Sequence, residues 1–410
     1  MNTTQLTDPN FFATGDPYAL WKQLREHAAL AWTPEPDGPG LWSVTRFEDG
    51  VRVYKDAASF SVRAGTTLEG NRWEDDPGGD KMLALMDAPR HTEMRRLLAP
   101  HFTPRRVAEM EQGVRRHVRL LVSRATEMGR FDFMQEVASR LPVSVFFTLM
   151  DIPQSDWEHL SAIIFRTVWA NEVERYVADS ELLMYLGALV AERRRRPGTD
   201  LLSAIAGATL DGQLLDDEEL VLSSANMLSA GIQTTRLSSG GGVQALMQHP
   251  EQWAYLSERP QDVDAAVEEI VRWTSPPLAN CRTALVDTEL GGQPIGRGQR
   301  VVLWLPSFNR DERALPGADH FDIARLPLRH VGFGSGVHAC LCMWFARLEL
   351  RVLLQEIVSA WCRVEADGPT TRLCSLVMHG VDSLPVRVQP RERAGAAGEA
   401  VPLSAAGELA

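Results

Sequence analysis

Residues 333–342 read Phe-Gly-Ser-Gly-Val-His-Ala-Cys-Leu-Cys, and this stretch decides how the rest of the chain is interpreted. Two glycines precede Cys340, and the sequence from Met343 onward becomes strongly helical. A cysteine just ahead of a helix lies among unpaired backbone N–H groups at the positive end of the helix dipole, which stabilises a thiolate. The stretch therefore predicts that the Cys340 sulfur binds a metal.

The second thiol of the stretch, Cys342, raises the alternative of a two-cysteine metal site. A four-ligand zinc site needs a further Cys or His pair at ligand spacing, and no such pair stands nearby in the sequence. Haem iron needs only one protein thiolate, because the porphyrin supplies the four equatorial nitrogens. A Cys-x-Cys metal or redox protein without haem stays open on the residues of this stretch alone.

The spacing Phe333-x-x-Gly336-x-x-x-Cys340, with His338 two residues before the cysteine, resembles the haem-thiolate signature of the cytochrome P450 family. The resemblance extends over residues 86–350 in the family's order and is strongest to its soluble bacterial members. The other matching elements are the segment Met86–Arg96, the segment Ala230–Thr235, Glu269 with Arg272, the triplet Asn309–Asp311, the pair Phe321–Asp322, and Arg325.

The resemblance implies haem b (iron protoporphyrin IX) with Cys340 as its axial thiolate. Phe333 would cover the sulfur, and glycine at Gly336 would let backbone N–H groups approach it. Buried haem propionates require charge-assisted hydrogen-bond donors. The family's donor positions correspond here to His91, Arg95, Arg282 and His338.

The resemblance also implies an oxygen-binding groove at Ala230 and Gly231, with Thr234 and Gln233 as the catalytic residues. The family usually has Asp or Glu where this chain has Gln233, and an amide can position water but does not titrate. This departure leaves three functions open. They are hydroxylation, oxidative coupling or desaturation by the same haem, and a haem-binding recruitment module for a carrier-bound substrate without oxygenase activity.

A second departure is Cys342, which stands where the family has glycine. The added side chain must fit close to the underside of the porphyrin. We expect either a local adjustment of the loop or a thiol packed against the ring, with Cys340 as the ligand.

The longest helical pattern runs from Asp216 to about Gln248 and contains Gly231 and the run Gly240-Gly241-Gly242. Each interior glycine costs about 1 kcal/mol relative to alanine. Either another element approaches closely or the helix opens locally. Further helices are predicted over 17–27, 104–127, 137–150 and 156–196, and strands over 41–45, 301–304 and 386–388.

The predicted fold is mainly α with small β-sheets, the cytochrome P450 fold, in which a long central helix crosses above a buried haem. We expect one domain over residues 1–390 and a disordered tail over 391–410. The net charge of −12 argues against nucleic-acid binding. The absence of an eighteen-residue apolar run and the five cysteines of this long chain predict a soluble, cytoplasmic protein without a membrane span.

The residues predicted to contact substrate are mostly apolar, which favours a lipophilic or aromatic small molecule. The resemblance to bacterial members acting on steroids, lipids or carrier-bound groups indicates natural-product or lipid tailoring, that is, secondary metabolite biosynthesis. The predicted substrate contacts are Trp73, Trp169, Met227, Leu278, Ala279, Val377 and Met378.

The family resemblance implies electrons from NAD(P)H through a ferredoxin reductase and an acidic ferredoxin, with O2 as co-substrate. Residues 90–119 carry eight arginines against three glutamates, a basic segment in an acidic chain. Such a segment favours electrostatic steering of an acidic redox partner.

Overall fold

The computed structural model describes residues 2–28, 30–35, 38–68, 76–169, 172–210, 212–325 and 328–391. The predicted tail beyond Arg391 and the predicted substrate contact Trp73 lie outside these residues. Helices dominate the described part, which confirms the predicted class. The helices are α1 (Pro9–Thr14), α2 (Pro17–His27), α3 (Phe47–Lys55), α4 (Arg90–Leu98), α5 (Pro104–Met128), α6 (Arg140–Leu149), α7 (Trp157–Trp169), α8 (Glu172–Arg195), α9 (Leu201–Ala206), α10 (Asp217–Gln248), α11 (Pro250–Glu258), α12 (Val263–Thr274), α13 (Leu305–Phe308) and α14 (Met343–Ala360).

The strands form small sheets at the side of the helical body. The largest has the order β1-β2-β10-β7-β3, in which β2 and β10 run parallel, and a second has the order β11-β14-β4. The three predicted strands correspond to β2, β10 and β14, although the predictions extend one residue beyond β2 and β10, to Thr45 and Trp304. The strands are β1 (Leu30–Glu35), β2 (Gly38–Val44), β3 (Phe60–Ser61), β4 (Arg130–Asp132), β5 (Thr209–Leu210), β6 (Gln213–Leu214), β7 (Asn280–Ala284), β8 (Thr288–Leu290), β9 (Gln293–Ile295), β10 (Arg300–Leu303), β11 (Trp361–Ala366), β12 (Thr371–Arg372), β13 (Val381–Ser383) and β14 (Pro385–Pro390).

Helix α10 is continuous over its 32 residues, so the glycines do not open it. Its N-terminus is fixed by a capping box between Asp216 and Glu219. A Cβ on Gly231 would overlap the Phe146 ring, and one on Gly240 would overlap Met134. The expectation of close approach by other elements is therefore confirmed, and at about 1.5 Å per residue α10 spans roughly 48 Å.

The prediction of one helix over 156–196 is wrong. The chain forms α7 and α8, which pack against each other, so its direction reverses between them. Neither proline nor glycine stands at the junction, and both helices present apolar residues at helical spacing. Apolar periodicity alone therefore continued across the reversal.

A buried ion pair on α12 organises the segment that leads to the cysteine loop. Arg272 Nη2 lies 2.6 Å from Glu269 Oε1, and neither side chain is exposed. The same guanidinium donates to the main-chain oxygens of Asn309, Ala318 and His320 at 2.6–3.0 Å. Every charged atom thus meets a partner, and the predicted structural ion pair fixes this irregular segment against α12.

Candidate functional site

The loop that carries Cys340 is held in an irregular conformation by its glycines. Gly334 and Gly336 have φ values of +70° and +72°, which favour glycine, and a Cβ on Gly336 would also overlap the Tyr54 carbonyl. The N–H of Cys340 donates to the Phe333 carbonyl at 2.8 Å. The loop thereby presents the Cys340 thiol to a cavity directly before α14 begins.

The cavity lies between this loop and the middle of α10. On the loop side it is lined by Phe333, Cys340 and Cys342, and on the helix side by Ala230 and Thr234. Two walls of one cavity are thus built from sequence segments about a hundred residues apart. Other lining residues, none of them among the predicted site residues, include Leu83, Ala84, Phe146, Asn226, Thr235, Ser238, Pro276, Pro277, Asn280, Ala346 and Leu350.

One end of the cavity gathers the nitrogen-bearing side chains. The His91 and His338 ring centroids lie 4.0 Å apart, and Arg95 Nη2 donates to the Ala339 carbonyl at 2.6 Å. His91 is 2% exposed, and its Nε2 has no hydrogen-bond partner among the described residues. Burial lowers the pKa of both histidines, and the charge of Arg95 lowers both further. His91 and Arg282 also contribute at His338 and help to bring its pKa to about 3. Such a buried set without an anion fits carboxylates such as haem propionates.

Arg282 is also buried and close to this end, since its charge helps to lower the His338 pKa. It donates to the Cys281 carbonyl at 2.7 Å, and its guanidinium lies over the Tyr54 ring. It does not line the cavity itself. The structure therefore brings together three of the four predicted propionate donors at the cavity and places the fourth just behind them.

The two thiols differ in position but share a direction of pKa shift. Burial raises the Cys340 pKa, although the N–H of Cys342 and the charges of Arg95 and Arg347 act in the opposite direction. The helix-end stabilisation expected from sequence is thus outweighed by burial. A thiol that coordinates a metal is deprotonated outright. Bound iron would therefore stabilise the Cys340 thiolate, which the helix end alone does not.

Cys342 fits its position without glycine-like backbone geometry. Its φ and ψ are −89° and 11°, and its carbonyl accepts hydrogen bonds from the N–H groups of Phe345 and Ala346 in the first turn of α14. The thiol lines the cavity, and burial together with Cys340 and Glu349 raises its pKa well above normal. Of the two outcomes expected for this residue, the observed geometry agrees with a thiol at the cavity wall and an unstrained loop.

On the opposite wall, the two predicted catalytic residues point in different directions. Thr234 Oγ1 donates to the Ala230 carbonyl at 2.7 Å, and Thr234 lines the cavity. Gln233 is fully buried, donates from Nε2 to the Ile164 carbonyl at 3.0 Å and does not line the cavity. Its Oε1 has no partner among the described residues. The structure thus ties Gln233 to α7 and leaves Thr234 at the cavity.

The predicted substrate contacts divide in a similar way. Met227 lines the cavity, whereas Leu278 and Ala279 are buried in a separate apolar cluster. Val377 and Met378 do not line it, although Met378 bridges to the lining residue Pro277. The Trp169 side chain lies outside the described part of the structure, as does Trp73. Pro276, Pro277 and Asn280, which flank the predicted contacts Leu278 and Ala279 in the chain, line the cavity instead of them.

The donor set agrees with haem better than with a protein-only metal centre. Within the described residues, no group of three or more His, Cys, Asp or Glu side chains could hold a metal ion. One thiol opposite a small-residue helix face, with basic donors at one end, matches what an axially ligated porphyrin needs. In the described part of the chain, no helix combines the length and apolar character needed to cross a membrane.

Comparison with known proteins agrees with this geometry. Residues 261–378 match the model of the family described as cytochrome P450. Cytochrome P450 126 of Mycobacterium tuberculosis is 39% identical over 383 residues, covering 89% of this chain and 92% of the relative. Linalool 8-monooxygenase of Pseudomonas putida is 30% identical, covering 95% and 100%. The crystal structure of CYP108D1 from Novosphingobium aromaticivorans superimposes with a TM-score of 0.87 at 31% identity, covering 95% and 98%.

A mainly helical fold in which the cysteine loop faces the long helix across a cavity is the architecture of a haem-thiolate oxidoreductase. The chain belongs to the cytochrome P450 family, which binds haem through an axial cysteine thiolate. The family assignment confirms the resemblance drawn from the cysteine loop and leaves the role of each site residue to be tested.

Proposed function

We propose that the chain is a monooxygenase that oxidises a lipophilic small molecule held between α10 and the cysteine loop. Cys340 would be the axial ligand, and His91, Arg95, Arg282 and His338 would hold the propionates. When bound, haem with an axial thiolate supplies the activation of O2. The observation that carries the proposal is the cavity with Cys340 on one wall and Thr234 on the other.

Proton delivery in this proposal depends on hydroxyl groups and water. No carboxylate lines the cavity in the described part of the chain, and Gln233 is engaged with α7. The Thr234 hydroxyl is the group best placed to donate a hydrogen bond at the oxygen site, after exchanging the Ala230 carbonyl for a new acceptor. Thr235 and Ser238 extend the hydroxyl-bearing surface along α10.

The substrate class follows from the lining and from the relatives. Leu83, Ala84, Met227 and Ala230 offer an apolar surface. The relatives include a linalool 8-monooxygenase and steroid C26-monooxygenases, and a similar solved structure is a cytochrome P450 involved in the biosynthesis of vancomycin-type antibiotics. These facts support tailoring of a lipid or natural product by hydroxylation, with coupling or desaturation as a variant of the same chemistry.

Electron delivery from a ferredoxin and its NAD(P)H-dependent reductase is part of the proposal. Most of the arginines of segment 90–119 are engaged, for example Arg106 with Glu109 and Arg119 with Glu356. Among the described residues, Arg96 and Arg116 are exposed and have no carboxylate partner. The side chains of Val337 and Trp344 are 47% and 41% exposed beside the cysteine loop. A partner that combines acidic residues with an apolar centre therefore fits this surface better than a purely acidic partner does.

The proposal further treats residues 1–390 as one cytoplasmic domain. Helix α10 packs against α6 from the N-terminal half and against β13 from the C-terminal end. The five cysteines are free thiols, which suits a reducing compartment.

The first test is the spectrum of the reduced, carbon-monoxide-treated protein. A Soret band at the haem-thiolate position is the expected result, and purified protein that takes up no haem contradicts the proposal. Turnover with O2, reductase and ferredoxin then separates an oxygenase from a recruitment module, which would give the spectrum but no oxidised product from any bound compound.

The second test is Thr234→Ala. The fraction of electrons recovered in product should fall about tenfold, since a lost hydrogen bond of about 1.4 kcal/mol corresponds to that ratio. Thr148→Ala is the matched control, because Thr148 makes the same bond to the carbonyl four residues earlier, at 2.6 Å to Ser144, but away from the cavity. If the fraction of electrons recovered in product were the same in both variants, Thr234 would have no role in proton delivery.

A further inference from the structure

Asn226 places an amide in the apolar part of the cavity. It lies on α10 two turns before Thr234, and its side chain is half-buried and lines the cavity. The cavity residues Leu83, Ala84 and Met227 carry no side-chain hydrogen-bond donor. Within the described residues the Asn226 amide makes no hydrogen bond.

The register of α10 fixes where this amide stands relative to the reacting end. Residues 226, 230, 234 and 238 are spaced by four and all line the cavity, so they share one helix face. At about 1.5 Å per residue, Asn226 stands roughly 12 Å along the axis from Thr234. A molecule that reaches both residues must be extended, with one end at Asn226 and the other over Cys340.

An amide in such a place discriminates between ligands. It offers two N–H donors and one carbonyl acceptor, so it can bind either a ketone oxygen or a hydroxyl group. A hydrocarbon that covers the amide strips its water without replacing the hydrogen bonds, which costs about 1–3 kcal/mol. A ligand with an oxygen at that end avoids the loss, and the resulting preference is about fivefold to 150-fold in Kd.

We infer that Asn226 is a specificity-determining residue that binds a hydroxyl or carbonyl oxygen at the far end of an otherwise apolar, extended substrate. The inference deepens the proposed function and rests on it. It narrows the substrate from lipophilic molecules in general to those that already carry one oxygen about 12 Å from the carbon presented to Thr234.

The test is ligand binding to the full-length, haem-loaded protein. Binding is measured in two ways, from the spin-state change of the iron and by calorimetry. The probes are 2-dodecanone, 2-dodecanol and dodecane, which share a chain and differ in the oxygen. Wild type should bind both oxygenated probes at least about fivefold more tightly than dodecane. Asn226→Leu should reduce that ratio to less than twofold while keeping dodecane binding.

Two further variants make the outcome specific. Asn226→Asp loses the N–H donors, so it should lose 2-dodecanone and retain 2-dodecanol. Gln244→Leu removes a half-buried amide from the same helix outside this cavity and should keep the wild-type ratios. An unchanged ketone preference in Asn226→Leu, or no preference in wild type, overturns the inference and leaves Asn226 as a water-binding residue. Absence of the haem-thiolate spectrum in every protein would instead overturn the proposed function.

Discussion

The two walls of the cavity are built by different physical means. The cysteine wall is an irregular loop fixed by left-handed glycines and by buried charges behind it. The α10 wall is one regular helix that presents small residues, hydroxyls and one amide, with no charged side chain facing the cavity in the described part. The cysteine wall is thus shaped by strong, directional interactions, and the α10 wall by small and uncharged side chains.

The charges on the cysteine side form a connected set. Arg347 Nε lies 2.6 Å from Glu268 Oε1, and His330 Nε2 lies 3.0 Å from Glu268 Oε2. Burial alone would raise the Glu268 pKa, but hydrogen bonds and charges from Arg347 and His330 lower it to about 2. The Arg347 guanidinium also lies 4.5 Å from the centroid of the Phe333 ring. These contacts with α12 and α14 therefore fix the loop conformation near Cys340. Side chains on the α10 wall can change without disturbing Cys340.

The largest effect is expected from Cys340→Ser, which removes the ligand from the cysteine wall. The reduced carbon monoxide complex should lose the thiolate Soret band entirely, because serine carries no sulfur at the position of the proposed ligand. Cys342→Gly is the control and should keep the band, since Cys342 is the N-cap residue of α14 and has ordinary backbone angles. Loss of the band in Cys342→Gly and its survival in Cys340→Ser would reverse the assignment.

The next effect tests whether buried charge holds the cysteine wall in place. Arg272→Met leaves the fully buried Glu269 carboxylate without its main partner and should lower the free energy of unfolding by about 3–5 kcal/mol. Urea unfolding of the haem-loaded protein measures it. Arg363→Met removes an ion pair with Glu365 whose Arg363 side chain is 62% exposed, and should cost less than about 1 kcal/mol. Similar losses in the two variants would contradict the difference drawn between buried and surface pairs.

Motifs with fixed spacing allowed the cysteine wall to be predicted better than the other wall. Phe333, His338 and Cys340 line the cavity, and Gly336 lies in the turn between them. Glu269 and Arg272 form a buried ion pair. These residues are tied to one another by charge or by chain geometry. Their spacing in the sequence therefore carries their spacing in space.

The α10 wall was less predictable because neighbouring helix residues point about 100° apart. Thr234 faces the cavity, and that rotation turns Gln233 toward α7. The spacing of four residues from Thr234 could have identified Asn226 and Ser238, but no motif marks them. The reversal between α7 and α8 was missed for a related reason, since its position depends on packing and not on a local breaker residue.

A smaller effect tests the close approach that shapes the α10 wall. Gly231→Ala places a methyl group against the Phe146 ring, and overpacking of this kind costs about 1–3 kcal/mol. Gly113→Ala is the matched control, because Gly113 lies within helix α5 and an added methyl meets nothing within 4 Å. That substitution should stabilise the protein by up to about 1 kcal/mol. Thermal unfolding distinguishes the two, and a stabilising Gly231→Ala would show that Phe146 moves aside.

The smallest effect concerns Glu349, a carboxyl group on α14 beneath the cysteine wall. It is fully buried, and neither oxygen has a partner among the described residues. Burial raises its pKa well above normal, so the folded protein retains a proton that the unfolded chain releases above about pH 4.5. Stability is therefore lost as the pH rises from the unfolded-state pKa toward the folded-state pKa.

Glu349→Gln cannot release that proton, so its advantage in Tm over wild type should be larger at pH 8 than at pH 5. The advantage should increase continuously between these two pH values. Glu365→Gln is the control, because hydrogen bonding to Arg387 lowers the pKa of that half-buried carboxyl group. This variant should lower Tm, and by nearly the same amount at pH 5 and pH 8. A Tm difference for Glu349→Gln that is the same at both pH values would mean that Glu349 is ionised in the folded protein, and that the cysteine wall rests on one more buried charge than the described contacts contain.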